Sequence, residues 1–374
     1  MTGLTAAQVR RWRARAQGLY GDEGAGRTVP AAVRLAGGLQ AQDAKAARLQ
    51  VRARSGGLTA ADLDAACGAA DRGVVRGWLM RGTLHAVPAT DLRWLTALLG
   101  QRVADSARGR RRQLGLDDEL CGRALTALER VLAGRPPMTR DGVVAALAGH
   151  GIVLDPRSQA PAHLMLYAAA MGLVCRGPEA AADVSTYVLR EEWLAAVPAG
   201  GPEGDEALAE LAVRHVTSYG PSTAADFARW SGLPLGAARR GRAAAGERIA
   251  EVGGPDGPLA VAAGTGPPEQ SAGVRLTGHF DPYLLGYADR DLLLAPSIAR
   301  RIATGGGLLM PCVLYDGEVV ATWRHTRRAA GLTLHVEPLV APFPAAVEPA
   351  LDAETADLGR FLSVPAGWEW AAPS

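Results

Sequence analysis

The stretch Pro221–Leu233, PSTAADFARWSGL, carries a complete helix signal in thirteen residues. Thr223 stands at the N-cap position, where its hydroxyl faces the unpaired amides of a first turn. Asp226, three residues on, faces the positive end of the helix dipole. Apolar residues then recur at helical spacing, and Gly232 follows as a stop signal. LTAADLDAACG (58–68) and MTRDGVVAALAGHG (138–151) repeat the pattern, and LTAAQVRRW (4–12) begins in the same way.

The surroundings of these segments decide the fold class. After the first come the alternating runs VVRGWLM (74–80) and TLHAVP (83–88), joined through Arg81-Gly82 as a β-hairpin. The second leads into the helical SQAPAHLMLYAAAMG (158–172) and the strand-like LVCRG (173–177) and STYVLR (185–190). The third leads into LGAARRGRAAAG (235–246), then the short runs RIAEV (248–252) and PLAVAAG (258–264). Helices followed by a two-stranded ribbon, three times over, is the order of tandem winged-helix modules. From about Leu276 the texture changes to short strands closed by a helix near Val347 to Leu362. The expectation is an α+β, predominantly helical chain with modules at 1–115, 116–200 and 201–275, and a small β-rich domain at 276–374.

Composition narrows the chemistry. The chain has 374 residues, 48% of them hydrophobic, enough for several domains with a sizeable core. No signal peptide opens it, and its most apolar run, Leu164 to Cys175, is short of a membrane span; a cytoplasmic monomer is the default. The four cysteines, Cys67, Cys121, Cys175 and Cys312, form no CxxC pair and read as core residues. No HExxH or other metal-ligand spacing occurs, so no metal and no cofactor are expected. Lys45 is the only lysine, which excludes a Walker-type phosphate loop; Gly305–Gly307 runs into Leu-Leu-Met and reads as a turn before a strand.

The net charge is +2, yet arginines cluster at 10/11/13/15, 102/108/110/111/112, 239/240/242 and 324/327/328. Each cluster alone is as consistent with a solvated face as with a phosphate contact. Four of them, one on an expected recognition helix, favour a surface for nucleic-acid phosphates.

Gly37-Gly38-Leu39-Gln40-Ala41-Gln42-Asp43-Ala44-Lys45 raises a sharper question, because two amides stand one residue apart where the backbone is loosened. On a helix they would diverge; in an extended segment residues i and i+2 leave on one side. The glycines supply the break, and the chain resumes as a helix at Ala44 with Asp43 as its cap. The pair is either a polar loop beside a cap or a functional pair presented in parallel.

The segments GGLQAQD (37–43), WLMRGTLHAVP (78–88), YGPSTAADFARWSGL (219–233), FDPYLLGYADRD (280–291) and VLYDGEVVATWRHTRR (313–328) resemble, in order and over nearly the whole chain, the AlkZ/YcaQ group of bacterial winged-helix DNA glycosylases. The resemblance implies three winged helices in a C shape around a DNA-sized cleft. It implies that Gln40 and Gln42 are catalytic, in the two-glutamine form of a Gln-aliphatic-Gln/Asp signature associated with self-resistance to DNA-alkylating antibiotics. The chemistry is compatible. An N7-alkylated purine is already cationic and leaves as a neutral base without a general acid. Two amide oxygens then suffice to hold a water and stabilise the developing oxocarbenium ion. The expected activity is a monofunctional glycosylase acting on double-stranded DNA with alkylated purines, bulky adducts or interstrand crosslinks. The rivals are a non-catalytic DNA-binding regulator and a drug-sequestering protein.

Lys45 competes as a Schiff-base nucleophile, but an unburied ammonium is a poor one, and a phosphate contact is its simpler use. Arg81, Thr83 and His85 alternate along the expected hairpin, a face for DNA or a polar strand of no further role. His279 and Asp281 lie on a family phrase, with a pocket position and a cap around Pro282 as alternatives. Arg239 and Arg240 on the third recognition helix, and Arg324 and Arg327 in a basic strand, complete the candidate DNA contacts. Trp78, Trp94 and Trp230 fall on apolar stripes and read as core.

Overall fold

The computed structural model describes residues 3–21, 26–181, 184–269, 273–303 and 309–372; Gly305–Gly307 lie outside them. The chain divides into two compact units, Met1–Leu63 with Ala209–Ser374, and Asp64–Leu208.

Along the chain, α1 (Ala6–Ala16), α2 (Val29–Leu35), the two-residue strand β1 (Leu39–Gln40), α3 (Ala44–Arg52) and α4 (Ala60–Ala66) come first. Next are β2 (Val74–Trp78), β3 (Leu84–Pro88), α5 (Ala89–Ser106), α6 (Arg108–Gln113) and α7 (Asp118–Leu132). They are followed by β4 (Met138–Thr139), α8 (Arg140–Ala148), α9 (Ala160–Ala170), β5 (Val174–Ala181), β6 (Val184–Leu189) and α10 (Arg190–Trp193). Then α11 (Gly204–Tyr219), α12 (Ala224–Ser231) and α13 (Leu235–Ala244) lead into the hairpin of β7 (Ile249–Gly254) and β8 (Gly257–Ala262). The remainder is β9 (Val274–Thr277), α14 (Pro282–Leu285), α15 (Pro296–Ile302), β10 (Cys312–Tyr315), β11 (Glu318–Arg328), β12 (Gly331–Pro338), α16 (Val347–Leu362) and β13 (Ala366–Trp370). The chain is thus mixed, with helices outnumbering strands before Val274 and strands gathered after it.

Threonine capping starts the expected helices. Thr5 and Thr223 each close a capping box, with Gln8 and Asp226, and Thr139 accepts from the Gly142 amide. Ahead of α4, the Asp62 carboxylate accepts from both the amide and the hydroxyl of Thr59. These caps satisfy amides that a first turn leaves unpaired, worth about 1 kcal/mol each.

In the Asp64–Leu208 unit the strands run in the order β3-β2-β5-β6-β4, antiparallel throughout. Trp78, Leu84, Val103, Leu128, Leu164 and Tyr187 belong to its core. The α9 helix buries residues on most of its faces, Ala160, Leu164, Met165 and Ala168–Ala170 among them, so it offers little surface of its own.

In the other unit a five-stranded sheet, β13-β12-β11-β10-β9, is antiparallel except for the β12–β13 pair. Helix α16 lays Val347, Leu351 and Leu358 on Leu276, Val320, Leu334 and Val336 of that sheet. Arg52, at the end of α3, ties this layer to the N-terminal helices: its buried guanidinium meets Glu354 and Asp357, both at 2.7 Å.

The arginine clusters part company here. Arg10 pairs with Glu318 at 3.3 Å, Arg11 with Asp316 at 2.8 Å, and Arg13 is buried over the Tyr287 ring, so this cluster holds its own unit together. Arg112 likewise meets Asp118 at 2.9 Å, and Arg111 is buried. By contrast Arg239 and Arg240 are exposed on α13, whose Ala238 and Gly241 face inward. Arg324, Arg327 and Arg328 are exposed on β11, and none of these five forms an ion pair among the described residues.

Candidate active site

The Gly37–Gly38 break takes a specific shape. Helix α2 ends with the Gly38 amide donating to the Val33 carbonyl at 3.0 Å and the Gly37 amide to that of Arg34 at 2.9 Å, the paired bonds of a Schellman motif. Both glycines have positive φ, 65° and 99°. A Cβ on Gly37 would lie 3.0 Å from the Trp230 ring and 3.3 Å from that of Tyr219, so the turn rests on these rings. Tyr219 also donates its hydroxyl to the Ala36 carbonyl at 2.8 Å. Trp230, Phe227 and His215 continue the ring packing beneath the turn.

From this seat the chain runs extended. Leu39 and Ala41 are buried, whereas Gln40 is half-buried and Gln42 exposed. That alternation over 39–42 fits the period of an extended segment, with both glutamines off its buried face. Helix α3 then starts at Ala44, with the Asp43 carboxylate accepting from the Lys45 and Ala46 amides at 2.8 and 3.1 Å. Lys45 is exposed on the first turn.

Gln50, fully buried on α3, links this segment to another. Its Nε2 donates to the carbonyls of Gln40 (3.2 Å), His279 (3.4 Å) and Phe280 (3.3 Å). Phe280 has φ +56°, a conformation that a bulky L residue rarely adopts and that the surrounding bonds must hold. Gly278 permits the approach of the two segments, since a Cβ there would lie 2.8 Å from Leu49 Cβ. Three residues on, Asp281, 1% exposed, grips Arg54, itself 0% exposed, through two bonds of 2.8 and 3.0 Å. Arg54 reaches on to Gln17 Oε1 and the Gln50 carbonyl. Asp281 also accepts from the Tyr283 amide at 3.0 Å, capping α14. Its side chain therefore faces Arg54 and a helix start, the cap alternative weighed for it, while its neighbours reach the glutamine segment through Gln50.

His279 is half-buried, with Nδ1 2.9 Å from the Leu309 carbonyl. That oxygen can only accept, so Nδ1 carries the hydrogen and Nε2 is the basic nitrogen. His325 follows Trp323 on the same face of β11, their rings 6.0 Å apart, and Trp323 Nε1 donates to the Thr277 carbonyl at 2.9 Å. Desolvation lowers the His325 imidazole below its ordinary range, and the nearby positive groups His279, Lys45 and Arg327 lower it further. Lys45 on α3, His279 and Arg327 on β11 thus lie within electrostatic reach of the His325 ring. Among the described residues no group of three or more His, Cys, Asp or Glu side chains is arranged to hold a metal ion.

Two candidates belong to the other unit and are described there. Arg81 does not alternate with His85 along a strand: it sits at φ +54° in a helical turn, Met80–Gly82, and is half-buried. His85 is 2% exposed, and burial pushes its imidazole down to about 3, with Arg81 adding to the effect; Nδ1 meets the Thr83 carbonyl at 2.9 Å. The expected open face for DNA is corrected accordingly, because a neutral ring inside the core presents nothing to a phosphate. Gln17, Gln50 and Arg54 escaped notice in the sequence. Gln50 did leave a signal, as a polar residue three and four places after Ala47 and Ala46 on the buried stripe of α3.

The family model for DNA glycosylase AlkZ-like proteins matches residues 33–361. The chain belongs to that family. It is a DNA glycosylase, as the five phrases of its sequence led one to expect. It is similar to an interstrand DNA cross-link repair glycosylase of Streptomyces sahachiroi, 28% identical over 367 residues and 90% of each chain. Its fold matches that of the solved Streptomyces sahachiroi DNA glycosylase AlkZ with a TM-score of 0.81 at 24% identity, over 98% of this chain and 100% of that one. No helix among the described residues is long and apolar enough to cross a membrane.

Proposed function

We propose that this glycosylase hydrolyses the N-glycosidic bond of N7-alkylated purines in duplex DNA, including bulky adducts and interstrand crosslinks, and protects its host from a DNA-alkylating antibiotic. The observation that carries this is the amide pair: Gln40 and Gln42 leave an extended segment on one side, and the adjacent Asp43 is engaged as a helix cap. A neutral pair suits a leaving group that already bears positive charge. The amide oxygens orient a water on the sugar face and lie near the cation that forms as the base departs. The name of the Streptomyces relative, a cross-link repair glycosylase, supports the same substrate class.

In this proposal the modules at 1–115, 116–200 and 201–275 are winged helices, supported by the run of α11, α12, α13 and the β7–β8 hairpin. Arg239 and Arg240 on α13, Arg324 and Arg327 on β11, Lys45, and Arg81 in its turn contact the DNA backbone. Asp281, His279 and His85 contribute no acid to the leaving group. The protein is a cytoplasmic monomer, and Lys45 forms no Schiff base, so the product is an intact strand with an abasic site.

The test is incubation of the protein with a duplex bearing one N7-alkylguanine, followed by alkali. Lesion-dependent strand breaks only after alkali are expected. They should vanish in the Gln40→Ala/Gln42→Ala variant; unchanged excision by that variant removes the catalytic assignment. A borohydride-trapped protein–DNA adduct contradicts the absence of a Schiff base.

A further inference from the structure

The amide pair leaves one step of the hydrolysis without a residue. Water that bonds to C1′ of the sugar must lose a proton, and a carboxamide oxygen accepts hydrogen bonds but does not take up protons near neutral pH. Asp43 adjoins Gln42 in the chain, yet its Oδ1 holds the first amides of α3. Asp281 is gripped by Arg54 in the core.

His279 meets the need on three independent grounds. One nitrogen, Gln50 Nε2, bonds the carbonyls of both Gln40 and His279, so the two stretches of backbone are neighbours held by a fully buried side chain. The Leu309 carbonyl fixes the tautomer, leaving Nε2 as the basic nitrogen. The residue is half-buried, so its ring is held in place without being sealed from water. His325 has no such side-chain tie among the described residues: it is exposed on a strand, its ring meets that of Trp323, and His279, Lys45 and Arg327 act on it electrostatically.

We propose that His279 is the proton acceptor of the hydrolysis. Its Nε2 takes a proton from the water whose oxygen bonds to C1′, and the glycosidic C–N bond breaks with its electron pair leaving on the purine. The imidazolium then returns the proton to solvent. This rests on Gln40 and Gln42 being the reactive pair. The charged groups that act on the His325 ring are Lys45 on α3 and Arg327 on β11, while Asp281, two residues from His279 in the chain, is neutralised by Arg54.

The test is single-turnover excision from a duplex with one N7-alkylguanine, measured across the acid to neutral range. His279→Asn keeps an N–H for the Leu309 carbonyl and removes Nε2. It should lower the rate about a hundredfold near neutral pH, leave the dissociation constant for the duplex within about twofold, and abolish the acid limb of the wild-type profile. Free imidazole should restore part of the rate of His279→Gly. A wild-type rate in His279→Asn overturns the proposal. So does a reduced rate with the acid limb intact, which assigns the ring to structure alone. An acid limb that disappears in His325→Gln or Asp43→Asn instead overturns it too. Unaltered excision by Gln40→Ala/Gln42→Ala sinks the reactive pair and this proposal together; an inactive pair variant beside a fully active His279→Asn sinks this proposal alone.

Discussion

Removing the Asp281 carboxylate separates structural support from chemistry. Both its oxygens bond the Arg54 guanidinium, at 2.8 and 3.0 Å, and one also accepts from the Tyr283 amide at 3.0 Å. Neither side chain has any exposure, so solvent screening takes nothing from the interaction. Asp281→Leu strands a buried guanidinium with only Gln17 Oε1 and the Gln50 carbonyl as partners, which costs about 4 kcal/mol. Asp281→Asn keeps the volume and an acceptor but loses the charge, at about 2 kcal/mol. The Arg54→Met/Asp281→Leu double variant removes both charges, and it should be more stable than Asp281→Leu alone because desolvation of the arginine is relieved. Urea unfolding followed by far-UV circular dichroism measures all three, beside single-turnover excision under conditions where each is folded. Excision should fall only as far as the His279–Phe280 segment loosens, and it should recover partly in the double variant. An Asp281→Asn protein that unfolds like the wild type yet excises nothing would refute this, since the carboxylate would then be acting on substrate.

Gln42→Ala should slow single-turnover excision about a hundredfold, on the order of 3 kcal/mol, with lesion binding unchanged; a fall confined to binding contradicts it. Replacing Arg239 and Arg240 with Gln should weaken duplex binding regardless of sequence and reduce the slope of log K against log salt by about 2, which fluorescence anisotropy across a salt series measures. His85, held near 3 against an ordinary 6.5, gives stability that is complete above pH 6.5 and is lost as the pH falls toward 3. The loss should reach about 3 kcal/mol near pH 4.5, and urea unfolding of His85→Gln should show a shallower acid dependence than wild type.

Much of the local structure was legible because its causes are local. Threonine caps, the helix start at Ala44 behind Asp43, the hairpin strands and the closing helix at Val347–Leu362 follow from residues within a few positions of one another. The break from helix at Leu39–Gln40 was legible for the same reason, since two glycines and a cap bracket that segment. What could not be read depends on distant partners. Arg54 finds Asp281 across 227 positions and Arg11 finds Asp316 across 305. Nothing near Arg10, Arg11 and Arg13 distinguishes an arginine that pairs within its own unit from one left for a phosphate. His85 misled because strand alternation reports which residues share a face, not which face is covered.

The glycine seat ties the earliest-made residues of the site to some of the later ones. Tyr219 holds the Ala36 carbonyl from 183 positions downstream, and Gln50 joins Gln40 to residues 279 and 280. Since synthesis proceeds from the N-terminus, a ribosome-bound chain carries both glutamines long before anything exists to shape the loop that aims them. If the two glutamines are the reactive pair proposed, the nascent chain should stay inert toward DNA until most of its length has emerged, and a truncation ending before Tyr219 should be inert for the same reason.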